Sequence, residues 1–390
     1  KCGSVQESRC VFDMLPDKDS VSWGAMLTGY VQHEYAMIAL ELLERMHATT
    51  IRKSKVIYIS ALKACTITSF LAHGRQIHYY MLREGLEMDA QLASVLVDMY
   101  GKCGNLRLAM IVFERMQDPP DVIAWSTIIS ILVHNGRMTK ALDLFFKMWF
   151  EGMISNTSSF IVGLDACAEL MAIEVGREIH LSIVIETSLE SDISLLNTLI
   201  SMYGKCCYVH EATNIFNHAK DRDIISWNAF IACLIHNECC NEALRKFRQM
   251  QITKVIPDKV TFLCILDACA KVTSLIEGQE VHMIMTCVGL ESETVVGTAL
   301  VNMYGKCGLL GNAWKMYESF SEKNVVLMTT FMAVLAKHGH ADSVFHLLFI
   351  MHDRGLKPNH VTFINILTAC NHDGLVKVAY QWFVSMYNEY

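Results

Sequence analysis

One register recurs about every hundred residues along this chain, and it limits the fold more than any local motif does. Cys65, Cys167, Cys269 and Cys370, each in an Ala-Cys dipeptide, follow one another at intervals of 102, 102 and 101 residues. Trp23, Trp125, Trp227 and Met328 step by the same 102, 102 and 101. Three Tyr-Gly-Lys-Cys tetrapeptides begin at Tyr100, Tyr203 and Tyr304, and Gly-Arg/Gln-x-Ile/Val-His stretches begin at Gly74, Gly176 and Gly278. Linked signatures that return in phase mark stacked repeats rather than one globular core.

Each long period splits into three unequal units, for example 122–156, 157–192 and 193–223, of 35, 36 and 31 residues. The same division runs through the chain as 1–19 (partial), 20–54, 55–89, 90–121, 122–156, 157–192, 193–223, 224–258, 259–293, 294–324, 325–359 and 360–390 (partial), about twelve units. Inside a unit the apolar residues fall at helical spacing, as in Trp227, Phe230, Ile231 and Leu234, and then Ala243, Leu244, Phe247 and Met250. Each unit is therefore expected to be two short amphipathic helices. Gly104, Gly136, Gly308 and Gly339 fall between helices, Gly85, Gly289 and Gly355 after the second, and Pro257-Asp258 and Pro358-Asn359 close units with a turn. A helix pair this short cannot bury its apolar face alone, so neighbours must stack into a solenoid. The opening KCGSVQESRCVFDM matches GKCGNLRLAMIVFERM from Gly101, and the last unit also stops short. The expectation is that both ends are cut from a longer array, with any targeting peptide outside it.

Composition narrows the function. The chain is 52% hydrophobic with 5 Pro and a net charge of −7, and no apolar run reaches the ~18 residues of a membrane span. Such a charge argues against a polyelectrolyte grip on duplex DNA and leaves local positive spots and base contacts for any nucleic acid. The 15 Cys recur at repeat positions and read as packing thiols in a reducing compartment. His78, His180 and His282 sit in second helices, where a satisfied core imidazole is expected before a metal ligand. No Cys-x-x-Cys, phosphate-binding Gly loop or Gly-x-Ser-x-Gly elbow occurs, so no catalytic residue, cofactor or metal is expected.

Taken together, these signatures resemble the plant pentatricopeptide repeat proteins of the PLS class, over essentially all 390 residues. IISWNAFIACLIHNECCNEALRKFRQM…IPD looks like a P unit, KVTFLCILDACAKVTSLIEGQEVHMIM…GLESE an L unit and TVVGTALVNMYGKCGLLGNAWKMYE an S unit. The units at 20, 122, 224 and 325 are then P, those at 55, 157, 259 and 360 L, and the partial first unit with those at 90, 193 and 294 S. Tetratricopeptide repeats keep one length near 34 and a different signature. The resemblance implies an all-α, right-handed superhelical α-solenoid that binds single-stranded RNA, one base per unit, in a mitochondrion or chloroplast. It also implies site recognition for C-to-U editing or other transcript processing, with editing-complex proteins as further partners and no membrane.

By the same resemblance, the fifth and last residues of a unit read the base. The pairs are Ser94 with Asp121, Ser126 with Asn156, Asn197 with Asp223, Asn228 with Asp258, Thr298 with Asn324, and Thr329 with Asn359. A short hydroxyl leaves space for a purine and Asn fills it opposite a pyrimidine; Asp accepts from guanine, whereas Asn both donates to and accepts from adenine. The family code gives G, A, U, U, A, A, hence 5′-GAxUUxAA-3′, with the L units blank because Ile59, Ile161, Leu263 and Ile364 cannot bond a base edge. Gly24 with Ser54 fits no clear code. Asp121, Asp223 and Asp258 also stand where helix caps belong, yet capping alone would not place polar fifth residues in P and S units only.

Val21, Val56, Ile123, Ile225, Val260, Val295, Val326 and Val361 hold the second place, where the family sandwiches bases, while Gln91, Ser158 and Ser194 break the pattern. Lys102, Lys205, Lys271, Lys306 and Lys337 hold the thirteenth place, where it meets phosphates, with His134 and His236 there in two P units. PLS proteins often end in a deaminase-like domain with a His-x-Glu and Pro-Cys-x-x-Cys zinc site. Here the sole His-x-Glu is His236-Asn237-Glu238, read as coincidence, and such a domain is expected beyond Tyr390 if present. The competing expectation is a helical scaffold for a protein or peptide, which would show an apolar or acidic groove instead.

Overall fold

The computed structural model describes residues 5–47, 49, 51–86, 89–116, 119–153, 157–185, 192–290 and 293–389. Among them are 23 helices and no strand. Two compact halves, Lys1–Thr198 and Leu199–Tyr390, divide the chain within the helix Ile193–Lys205.

In the N-terminal half the second helix Val5–Met14 opens the series. Pairs follow as Ser20–Gln32 with Ala36–His47, Lys55–Thr68 with Leu71–Arg83, Ala90–Lys102 with Leu106–Glu114, Val122–His134 with Met138–Phe150, and Thr157–Leu170 with Ile173–Ile185. The C-terminal half continues with Val209–His218, then Ile224–His236 with Cys240–Ile252, Lys259–Val272 with Leu275–Val288, Thr294–Lys306 with Leu310–Ser319, Val325–Lys337 with Ala341–Asp353, and His360–His372 with Val376–Glu389. Within each half a first helix packs on the first helices before and after it and on its own partner, and each second helix leans on the next first helix. That is solenoid stacking. Val5–Met14, Leu106–Glu114, Val209–His218 and Leu310–Ser319 have only 10, 9, 10 and 10 residues, against 12 to 14 in the other second helices.

The apolar periodicity is the core. Trp227, Phe230, Ile231, Leu234, Ala243, Leu244, Phe247 and Met250 are all buried. Trp23, Trp125 and Trp227 each meet the edge of a ring from the preceding second helix, Phe12, Phe113 and Phe216, at centroid distances of 5.0, 4.9 and 4.9 Å. Met328 replaces the fourth Trp. Aromatic contact there passes to Phe331, stacked on Tyr317 at 4.4 Å and met by Trp314 at 5.2 Å. Cys65, Cys167, Cys269 and Cys370 are at most 1% exposed. Burial pushes the Cys65 and Cys269 thiols up to about 12, so they pack as small apolar residues.

Two glycine positions carry different loads. A Cβ on Gly101 would stand 2.5 Å from the Ile131 side chain, on Gly204 2.8 Å from Cys233, and on Gly305 2.3 Å from Val334. The glycine of Tyr-Gly-Lys-Cys therefore lets consecutive first helices approach. Three residues later the turn needs positive φ, which Gly104 and Gly308 adopt at 78° and 81° and Cys207 adopts at 66° without glycine's freedom. Two of the L-unit histidines are half-buried and partnered, with His78 Nδ1 2.9 Å from the Tyr100 hydroxyl and His282 Nδ1 2.8 Å from that of Tyr304.

Candidate nucleic-acid interface

Most first helices start from an extended residue whose side chain caps them, while Ser54 and Glu293 are extended but make no side-chain cap bond. Asp121 (φ −77°, ψ 172°) accepts from the Ala124 N–H, Asp223 from Ser226, Asp258 from Thr261, Asn324 from Leu327 and Asn359 from Thr362. Val21, Val56, Ile123, Ile225, Val260, Val295, Val326 and Val361 are then between 38% and 75% exposed. Gln91, Ser158 and Ser194 are exposed at the same place. Aliphatic side chains of this size are normally inside, and a row of them left out at one register is a surface shaped for apolar contact.

The fifth residues lie one turn further in. The hydroxyls of Ser94, Ser126, Thr298 and Thr329 donate to the carbonyls of Ala90, Val122, Thr294 and Val325 at 2.8, 2.7, 2.7 and 2.8 Å. Their protons point back into the helix, leaving the oxygens as acceptors. Asn197 is buried, at 8% exposure. One expected pair is brought together: Asn228 Nδ2 donates to Asp258 Oδ1 at 3.0 Å, and the Thr261 hydroxyl donates to Asn228 Oδ1 at 2.6 Å and lies 2.9 Å from Asp258 Oδ1. Burial pushes the Asp258 carboxyl up, but the bonds from Thr261 and Asn228 outweigh it and hold the group below its ordinary value. Among the described residues no hydrogen bond joins Ser94 to Asp121, Thr298 to Asn324 or Thr329 to Asn359. Asn156 lies outside the described residues, and Asn197 with Asp223 straddles the two halves.

The L units hold contacts that the sequence reading missed. Ile59, Ile161 and Leu263 are half-buried and Ile364 is exposed, as apolar as expected. The acid that ends each of the three complete L units is instead engaged by the unit's own first residue: Lys55 pairs with Asp89, the Thr157 hydroxyl donates to Asp192 at 3.0 Å, and Lys259 pairs with Glu293. A signal was present, since the L units begin with Lys, Thr, Lys and His while Ala90, Val122, Ile193, Ile224 and Val325 open other units, although Ser20 and Thr294 also open a P and an S unit with a hydroxyl.

All five thirteenth-place lysines are exposed, but not equivalently. Lys102 and Lys271 are each 3.0 Å from an aspartate one turn earlier, Asp98 and Asp267. Lys306 and Lys337 line one small hollow with His338. A cavity of about 640 Å³ gathers Lys102, Ile123, Ser126, His134 and Ser158, so that second, fifth and thirteenth places face one space. A larger one, about 990 Å³, opens over Gly24, where Val21, Val56 and Ser54 line it. Among the described residues no group of three or more His, Cys, Asp or Glu could hold a metal ion. His236 is exposed at a helix end, and Glu238 sits in the following turn at φ 62°.

Residues 21–48, 93–118, 123–153, 194–224 and 298–325 match the PPR repeat, and 222–271 and 323–372 match the PPR repeat family; neither describes a catalytic domain. A chloroplastic pentatricopeptide repeat-containing protein of Arabidopsis thaliana is 34% identical over 390 residues, 100% of this chain and 48% of that protein. A mitochondrial one from the same plant is 32% identical over 393 residues, covering 100% and 56%. The chain thus spans about half the length of these relatives. Among solved structures, the pentatricopeptide repeat protein PPR10 from maize superposes with a TM-score of 0.73 at 17% identity, over 98% of this chain and 56% of that one. PPR10 in complex with an 18-nt psaJ RNA element gives 0.68 at 16%, over 97% and 61%. At such identities the likeness concerns the fold.

Proposed function

Since the chain belongs to the pentatricopeptide repeat family, we propose that its first-helix faces bind single-stranded RNA sequence-specifically, one base to each P and S unit of a PLS array. The observation that carries this reading is the conjunction of exposed aliphatic second residues with polar fifth residues, one of which, Asn228, is bonded to the last residue of its unit, Asp258. The aliphatic pair supplies stacking surface, and the polar pair meets a Watson–Crick edge that only an unpaired base exposes. Lys102, Lys205, Lys271, Lys306 and Lys337 then face phosphates. The reading is 5′-GAxUUxAA-3′, G, A, U, U, A, A through Ser94/Asp121 to Thr329/Asn359. A peptide scaffold is the weaker reading, because the cavity at Ser126 is lined by Lys102 and hydroxyls rather than by apolar or acidic groups alone.

The larger assignment is site recognition for C-to-U editing or other processing of a transcript in a chloroplast or mitochondrion, the two compartments in the relatives' names. Among the described residues no helix is long and apolar enough to cross a membrane. Editing-complex proteins are proposed as further partners. Tyr79, Leu181 and Met283, spaced 102 residues apart on L-unit second helices, are 61%, 64% and 64% exposed and offer a recurrent apolar contact.

Binding decides the matter. Asn228→Thr shortens the residue facing the second U while Asp258 keeps its acceptor, so preference at that base moves from U towards G by roughly ten- to a hundredfold. The parent and variant are titrated with 5′-GAxUUxAA-3′ and with the RNA carrying G at the fifth position. Equal weakening of both would leave Asn228 a capping partner of Asp258 and nothing more.

A further inference from the structure

The acids that end the units fall into two states. Around Asp258 the bonds converge on Oδ1, from the Thr261 N–H and Asn228, with the Thr261 hydroxyl 2.9 Å from the same oxygen. Asp121 likewise caps through Oδ1. The second oxygen of either can meet a base. In two L units both oxygens are engaged: Asp89 takes the Leu92 N–H on Oδ1 at 3.0 Å and the Lys55 ammonium on Oδ2, and Asp192 takes the Ser194 and Leu195 N–H groups on Oδ1 and the Thr157 hydroxyl on Oδ2. Glu293 meets Lys259 through Oε2.

We propose that the first residue of an L unit is a specificity-determining latch: Lys55, Thr157 and Lys259 occupy the terminal acid and withdraw it from base reading, so that the unit accepts any base. This rests on the base-reading assignment made above. An ammonium is a stronger partner for a carboxylate than the neutral N–H of guanine or uracil, so a base displaces it only at a loss. The Asp89 carboxyl is accordingly held below its ordinary range, first by the Lys55 bond. Val56 and Val260, 54% and 52% exposed beside the latches, still present stacking surface. An L unit built this way is a spacer that stacks without reading. In these units the first residue is polar and the fifth apolar, and the apolar fifth residue is only half of the cause of silence.

The sequence separation makes the latch testable, because Ile59 and Asp89 are 30 residues apart, as are Asn228 and Asp258. Ile59→Asn, Lys55→Val and the double variant are titrated with four single-stranded RNAs, 5′-AXGAAUUAAA-3′, differing only at X, the base facing this unit. The parent and both single variants should bind all four within about twofold, and the double variant should prefer X = U by about tenfold or more. The converse variant, Ile224→Lys, installs a latch beside Asp258 and should erase the U preference at that unit's base without lowering overall affinity. The proposal is overturned if Ile59→Asn alone gains the preference, or if the double variant gains none and Ile224→Lys keeps its own. If the parent shows no preference opposite Asn228 either, base reading itself fails and the latch with it.

Discussion

His78 shows how one side chain ties the array's packing to pH. Its ring bonds the Tyr100 hydroxyl across two units, and burial holds the imidazole below its ordinary 6.5. The folded chain therefore binds this proton less readily than the unfolded chain does. The stability contributed by the neutral ring is complete above pH 6.5 and is lost as pH falls through the depressed folded value. His78→Gln, which keeps a polar partner for Tyr100, should shrink the drop in thermal midpoint between about pH 7 and 5.5; an unchanged drop would show that the ring does not titrate with unfolding. At the same scale Asp121, Asp223 and Asp258 were legible as caps, and they are caps. What the sequence could not carry is the choice between the two oxygens of a carboxylate, because that depends on residues 30 or more positions away, such as Asn228 for Asp258 and Lys55 for Asp89.

Among the elements, closeness of first helices is the feature most open to measurement. Gly101 and Gly305 have no room for a methyl group, each meeting a branched side chain of the next first helix. Gly101→Ala and Gly305→Ala force those helices apart and should each cost about 1–3 kcal/mol in urea unfolding. Gly311 lies in a second helix with nothing within 4 Å, so Gly311→Ala should be neutral or stabilising by up to about 1 kcal/mol. A similar loss at all three positions would mean that the close approach is not what these glycines serve. Helix pairs and buried faces were readable from Trp227, Phe230, Ile231 and Leu234 because a 3.6 period reports which face is covered. The reason for glycine in Tyr-Gly-Lys-Cys was not, because periodicity does not report the distance between two helices. Replacement of a Trp by Met328 was visible as a gap in the series, but its compensation through Trp314 and Tyr317 required knowing which rings reach Phe331.

For the whole molecule, charge sets the expected response to salt. A net charge of −7 excludes a strongly cationic surface, so any hold on phosphates must come from local cations such as the thirteenth-place lysines. Two of these are committed beforehand, Lys102 to Asp98 and Lys271 to Asp267, and each must exchange a carboxylate for a phosphate on binding. Such an exchange releases fewer counterions than neutralising a phosphate with an unpaired lysine. With about three to five contacts and a slope near −0.7 per phosphate on single strands, the logarithm of RNA affinity should fall with the logarithm of salt by about 2 to 3.5. Asp98→Asn and Asp267→Asn free both lysines, so the double variant should bind RNA more tightly at low salt and show a steeper slope, with base preference unchanged. Single strands should be favoured over duplex, since the polar pairs reach only unpaired edges. A slope typical of ten contacts, or equal affinity for duplex, would show that the chain grips backbone alone and that the residues at the fifth places do not read.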